Sequence, residues 1–150
     1  HNNIGLVYLK EKDIDKAIEE FNLAIKLNSR RLDSYNNLAN TYQNMGNYEE
    51  AVALYKKDIA LNPDYAEVYN NLGVAYETIG KTEEAIVLYR KAIALKPDYG
   101  TAYKNLAVIY YLEKQYALAI KYCDRAMALG YKADPNFLKL LEPYRQEKAH

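Results

Sequence analysis

Residues 32–65, LDSYNNLANTYQNMGNYEEAVALYKKDIALNPDY, lie over residues 66–99, AEVYNNLGVAYETIGKTEEAIVLYRKAIALKPDY, without a gap, and more than half of the aligned columns are identical. A further copy, GTAYKNLAVIYYLEKQYALAIKYCDRAMALGYKA, occupies residues 100–133. Residues 1–31 align as a copy lacking its first three positions, and residues 134–150 supply half a copy more. No other feature restricts the fold as strongly. Self-similarity at this period means an array of small units, each touching only its neighbours, with one core running through the stack.

Two helical patterns are legible within each copy. Tyr69, Leu72, Gly73 and Tyr76 recur at the spacing of one helix face, and Gly80 supplies a left-handed stop. A second stripe follows through Ala85, Ile86, Tyr89, Ala92 and Ile93 until Lys96-Pro97-Asp98 breaks it. In the preceding copy Gly46 stops the first helix, Asn47 with Glu50 forms a start signal, and Pro63 ends the second. Each helix is expected to run about 12–14 residues, roughly 20 Å. One such hairpin cannot cover its own apolar face, so the predicted architecture is all-α, a solenoid of stacked hairpins. Small residues recur where paired helices cross: Gly5, Ala39, Gly73 and Ala107 on the first, Ala17, Ala51, Ala85 and Ala119 on the second.

The unit resembles the tetratricopeptide repeat, whose signature reads here as Tyr69, Leu72, Gly73, Tyr76, Ala85, Tyr89, Ala92 and Pro97. The resemblance implies a right-handed α-solenoid of tandem helix–turn–helix hairpins. Its divisions would be 1–31 (N-terminally truncated), 32–65, 66–99 and 100–133, closed by a C-terminal capping helix over 134–150 and forming one continuous domain. Departures are visible. Asp58 replaces the small residue of the second copy, and Cys123 replaces the aromatic of the fourth. Ser29 and Tyr131 stand where proline is expected, and Lys12 and Lys114 replace the turn glycine, which predicts looser turns in the first and last full copies. The last segment carries Phe137, Leu140, Leu141 and Tyr144 at first-helix spacing, with Asp134-Pro135 as its start and Pro143 expected to kink or end it early. Lys139, Glu142 and Arg145 give it a polar outer side. An uncapped front suggests an array continuing upstream or a front face that meets a partner.

Adjacent asparagines recur in step with the period: Asn2-Asn3, Asn36-Asn37 and Asn70-Asn71, with Lys104-Asn105 as a half match. Asparagine is a poor helix former, because its short amide competes with the backbone for hydrogen bonds. Asn70, Val74 and Glu77 fall off the stripe that faces the second helix, and Asn71 lies at its edge. In the family resembled, first helices line the concave side of the superhelix. Carried over, that implies a peptide-binding groove of Asn36, Asn37, Asn40, Gln43, Asn44, Asn70, Asn71, Val74, Glu77, Lys104, Asn105, Val108 and Tyr111. An amide donates and accepts at once, so a ladder of Asn37, Asn71 and Asn105 could hold the main chain of an extended peptide. Asn71→Ala with Asn105→Ala is then expected to weaken binding with little change in melting temperature. The alternative is that these amides bond to the neighbouring hairpin or to water. The carboxylate clamp of chaperone-binding family members fits poorly: Asn40 and Asn71 match its asparagines, but Asn36, Thr101 and Asn105 occupy its lysine and arginine places.

Charge balances to zero over 20 basic and 20 acidic residues, which argues against a nucleic-acid or anionic-membrane surface. Neither a membrane span nor a signal peptide is visible, so no direct membrane insertion is expected, and a cytoplasmic location fits best. A lone Cys123 rules out an internal disulfide, and no histidine stands near it in sequence to activate it. No phosphate loop, metal cluster or triad is recognisable, so no catalytic residue, metal or cofactor is expected. Glu49-Glu50 and Glu83-Glu84 open second helices, where negative charge suits the helix dipole. The reading is a non-enzymatic scaffold that binds a protein or peptide partner along its groove. Its rivals are self-assembly through the N-terminal face and a repeat arm of a larger enzyme.

Overall fold

A computed structural model describes residues 1–147 of the chain. Among them nine helices form four hairpins and a closing helix: α1 (Asn2–Lys10) with α2 (Ile14–Leu27), α3 (Leu32–Asn44) with α4 (Tyr48–Leu61), α5 (Ala66–Thr78) with α6 (Thr82–Leu95), α7 (Gly100–Leu112) with α8 (Tyr116–Ala128), then α9 (Pro135–Glu147). Each hairpin packs its own two helices together, and each second helix packs on the first helix of the following unit. The result is an all-α solenoid. The three final residues of the expected capping segment lie outside the described residues.

All four intra-hairpin turns close identically. The N–H of Asp13, Asn47, Lys81 and Gln115 reaches back to the carbonyl of Tyr8, Tyr42, Tyr76 and Tyr110 at 2.8–2.9 Å, the long bond of a Schellman C-cap. That bond requires a left-handed residue before it. Gly46 and Gly80 supply it at φ 84°, and Lys12 and Lys114 supply it at 62° and 60°. The turns expected to loosen at these lysines are therefore as tight as the others, because the hydrogen bonds hold even a residue with a Cβ in that region. Asn47 precedes α4 but its side chain makes no capping bond, whereas Asp13 accepts from the Lys16 N–H at 3.3 Å.

Between hairpins the chain turns at Pro63 and Pro97. Each turn is tied to the next first helix: Tyr69 and Tyr103 donate their hydroxyls to the Pro63 and Pro97 carbonyls at 2.8 and 3.0 Å. Small-residue columns mark the crossings. A Cβ added to Gly5 would stand 2.6 Å from Phe21 Cε1, and one on Gly73 2.7 Å from Tyr89 Cε1, so the rings of the second helices are seated against bare backbone.

The closing helix runs past Pro143 and buries one of its two adjacent leucines. Pro143 does not end it, since α9 continues to Glu147. Leu141 is fully buried while Leu140 is half-exposed. In a full hairpin the column of Leu141 is small (Gly5, Ala39, Gly73, Ala107) to admit a second helix. Among the described residues no second helix of its own packs on α9, and a leucine fits there. Asp134 Oδ1 accepts from the Asn136 N–H at 2.8 Å and starts the helix, and Arg145 on α9 pairs with Asp124 on α8.

Candidate binding groove

First helices of successive hairpins touch one another, α1 with α3 and α3 with α5, whereas among the described residues second helices make no comparable contact. Elements that meet along one side and diverge along the other curve the stack, so the first helices form the inner face. The paired asparagines stand along the seam between them. Asn37 Nδ2 donates to Asn2 Oδ1 at 3.0 Å, Asn71 Nδ2 to Asn36 Oδ1 at 3.3 Å, and Asn105 Nδ2 to Asn70 Oδ1 at 2.9 Å. In every case the second asparagine of one copy donates to the first of the copy before it. A doublet is needed because each copy must accept from its successor and donate to its predecessor. Lys104 replaces the accepting member where the next segment offers Leu138-Lys139 instead, and Lys104 Nζ donates to Asn105 Oδ1 at 3.0 Å.

The residues of the expected ladder stand in this seam. Asn70 and Asn105 are only 3 % and 7 % exposed and hold each other, so their amides fasten hairpins together rather than offering themselves to a peptide. Asn37, half-buried, is likewise engaged with Asn2, whose Oδ1 also accepts from Ser34. Asn71 donates to both Asn36 and Asn40. Asn40 in turn accepts from the Tyr55 hydroxyl, which also reaches Gln43 Oε1 at 3.1 Å. Of the remaining expected residues, Asn44 is exposed, and Val74, Glu77, Lys104, Val108 and Tyr111 are half-buried. Glu77 accepts from the Tyr89 hydroxyl at 2.8 Å. Deep burial, with that bond and the Glu77 charge adding to it, holds the Tyr89 phenol far above its ordinary pKa, so its hydroxyl is a donor at any physiological pH. Tyr111 is drawn into an aromatic group with Tyr116, Phe137 and Tyr144 that binds α7 to α9.

At the C-terminal end the inner face opens into a cavity of about 340 Å³. Ala107, Cys123 and Ala126 form its floor, Val108, Phe137 and Leu140 its walls, and Lys104, Asp134 and Asn136 its polar rim. Lys104 and Val108 belong to the stripe expected from the sequence, but Cys123, Phe137 and Leu140 do not. A signal was present in the break of the aromatic column at Cys123. Burial pushes the Cys123 thiol pKa up, the opposite of what a nucleophile needs. Among the described residues no group of three or more His, Cys, Asp or Glu is placed to hold a metal ion, and no helix is long and apolar enough to cross a membrane.

Stacked hairpins with their first helices on the inner face define an α-solenoid scaffold. Two family models, both described as tetratricopeptide repeat, match residues 1–57 and 30–98 and residues 79–142, and the chain belongs to that family. Among solved structures, one described as the crystal structure of MamA superposes with a TM-score of 0.79 at 26% identity, covering 86% of this chain and 75% of that one. Another, described as the crystal structure of MamA protein, gives 0.76 at 25%, covering 89% and 75%. MamA 41-end from Desulfovibrio magneticus RS-1 gives 0.77 at 20% identity, covering 86% and 73%, a likeness of fold alone. No curated protein sequence matches. Membership sets the functional class, a scaffold for protein–protein interaction.

Proposed function

We propose that the chain is a non-enzymatic receptor that holds an extended segment of a partner protein along its inner face. The observation that carries this reading is the apolar cavity of about 340 Å³ opening on that face, continuous with half-buried Val108. Apolar anchors in pockets supply most binding energy in such interfaces, and the surrounding polar groups set register. Val74 and Val108 offer apolar contact, while Asn36, Asn44 and Glu77 keep acceptor capacity on carbonyl or carboxylate oxygens to meet backbone N–H groups. With Glu77 against Lys104, the face carries no field of one sign, which suits a neutral or mixed segment. Peptides selected from a display library on the wild-type chain are expected to lose affinity about tenfold or more for Val108→Glu, a charge set in the anchor site. Undiminished binding to that variant would contradict the reading.

A second reading has its own observation. On α1, Ile4, Leu6 and Val7 are 46 %, 42 % and 52 % exposed, an apolar surface of the kind that seeks cover. Self-association through this helix predicts a molar mass that falls on dilution in light scattering and is constant in Ile4→Glu/Val7→Glu.

A further inference from the structure

Three copies fill one column of the second helix with an aromatic ring: Phe21, Tyr55 and Tyr89 are all fully buried. Those rings lie against the small column of the first helix, as Gly5 against Phe21 and Gly73 against Tyr89 demonstrate. The tyrosines extend to the inner face, where their hydroxyls meet Asn40, Gln43 and Glu77. In the fourth copy the same column holds Cys123, facing Ala107, and both line the cavity. Val108, in the column of Asn40, forms its wall. The cavity therefore borders the column where the other hairpins keep a ring, with Ala107 and Cys123 as its closed floor, and it opens on the side where their hydroxyls emerge.

We infer that this cavity receives an aromatic side chain, phenylalanine- or tyrosine-like, carried by a partner segment. A dry apolar cavity of about 150 Å³ suffices to bind benzene, so the 340 Å³ here holds a phenol with room for its stem. Phe137 supplies an aromatic neighbour, for which offset or edge-on contact is favoured. Leu140, 50 % exposed, loses that exposure when a ring enters. Lys104 and Asp134 at the rim leave the polar end of a tyrosine hydrogen-bonded rather than stranded. The fold thus omits one ring of its own and takes it from outside. Delivery of that ring by an extended segment rests on the inner-face reading, but the preference of the cavity for a ring does not.

The test is an NMR titration of the full chain with p-cresol, the tyrosine side-chain analogue, beside 3-methylbutan-1-ol as an aliphatic control. Saturable shifts are expected at Val108, Ala126 and Leu140, with the alcohol binding more weakly. Cys123→Tyr, which restores the ring found in the other copies, is expected to raise the melting temperature while weakening p-cresol binding about tenfold or more. Cys123→Ala keeps the cavity open and retains binding, so the assignment stands or falls even if the tyrosine variant folds poorly. Absence of saturable shifts, equal binding by the alcohol, or undiminished binding to a folded Cys123→Tyr would overturn it. Failure of the inner face to bind any peptide leaves p-cresol binding unchanged, which separates the two readings.

Discussion

Asn105 and Asn70 face each other inside the stack, and removing one side of that bond strands the other amide in a site with little access to water. Asn105→Ala is therefore expected to cost about 1–3 kcal/mol of stability, measured as a lower midpoint in urea. The sequence alone favours the opposite, an exposed amide whose loss spares the fold. Helical periodicity places a side chain on a face to within some tens of degrees. Whether an edge residue meets solvent or the next helix depends on how closely hairpins stack, and one chain's pattern does not specify that. Asp58 makes a second case. Its column is Ala24, Ala92 and Ala126 elsewhere, it is fully buried, and neither carboxylate oxygen has a partner. Burial, with Asp33 adding repulsion, pushes its pKa up from 3.8 to about 6. A carboxyl whose folded-state pKa is raised favours the fold while protonated, so its penalty is absent below about pH 4 and complete above about pH 7. Asp58→Ala is expected to stabilise the chain by on the order of 2–3 kcal/mol near pH 7.5, with the gain shrinking towards zero as pH falls below about 4. A gain of constant size across that window in pH-dependent urea melts would contradict this origin.

At the scale of elements, turns and helix ends were the most readable parts and also the place where two expectations failed. Gly46 and Gly80 marked the stops correctly, and Asp134-Pro135 marked the start of α9. Lys12 and Lys114 predict looser turns because they lack glycine's freedom, whereas six-residue backbone hydrogen bonds impose the left-handed conformation regardless. The cost is instead stored at those lysines. Lys114→Gly is expected to stabilise the fourth hairpin by about 1 kcal/mol, read as slower hydrogen exchange in α7 and α8. The early end allowed for at Pro143 does not occur. Tertiary contacts of Leu141, Tyr144 and Arg145 hold the last turns of α9 in place against a local preference to stop.

For the whole molecule, the period determines the architecture: repetition of one hairpin whose apolar face only another hairpin can cover. The inner face was legible in outline from the first-helix stripe. The cavity was not, since it depends on three elements meeting around a residue that is merely short. We propose a division of labour along that face: asparagine doublets join hairpins, and apolar groups at the C-terminal end meet the partner. The most direct test is solvent exchange of asparagine side-chain amide protons, followed by NMR with and without a library-selected peptide. The account predicts that the Asn105 amide is protected in both states while the Val108 methyls shift on binding. Free exchange of the Asn105 amide in the unbound chain, with protection appearing only on peptide addition, would contradict it.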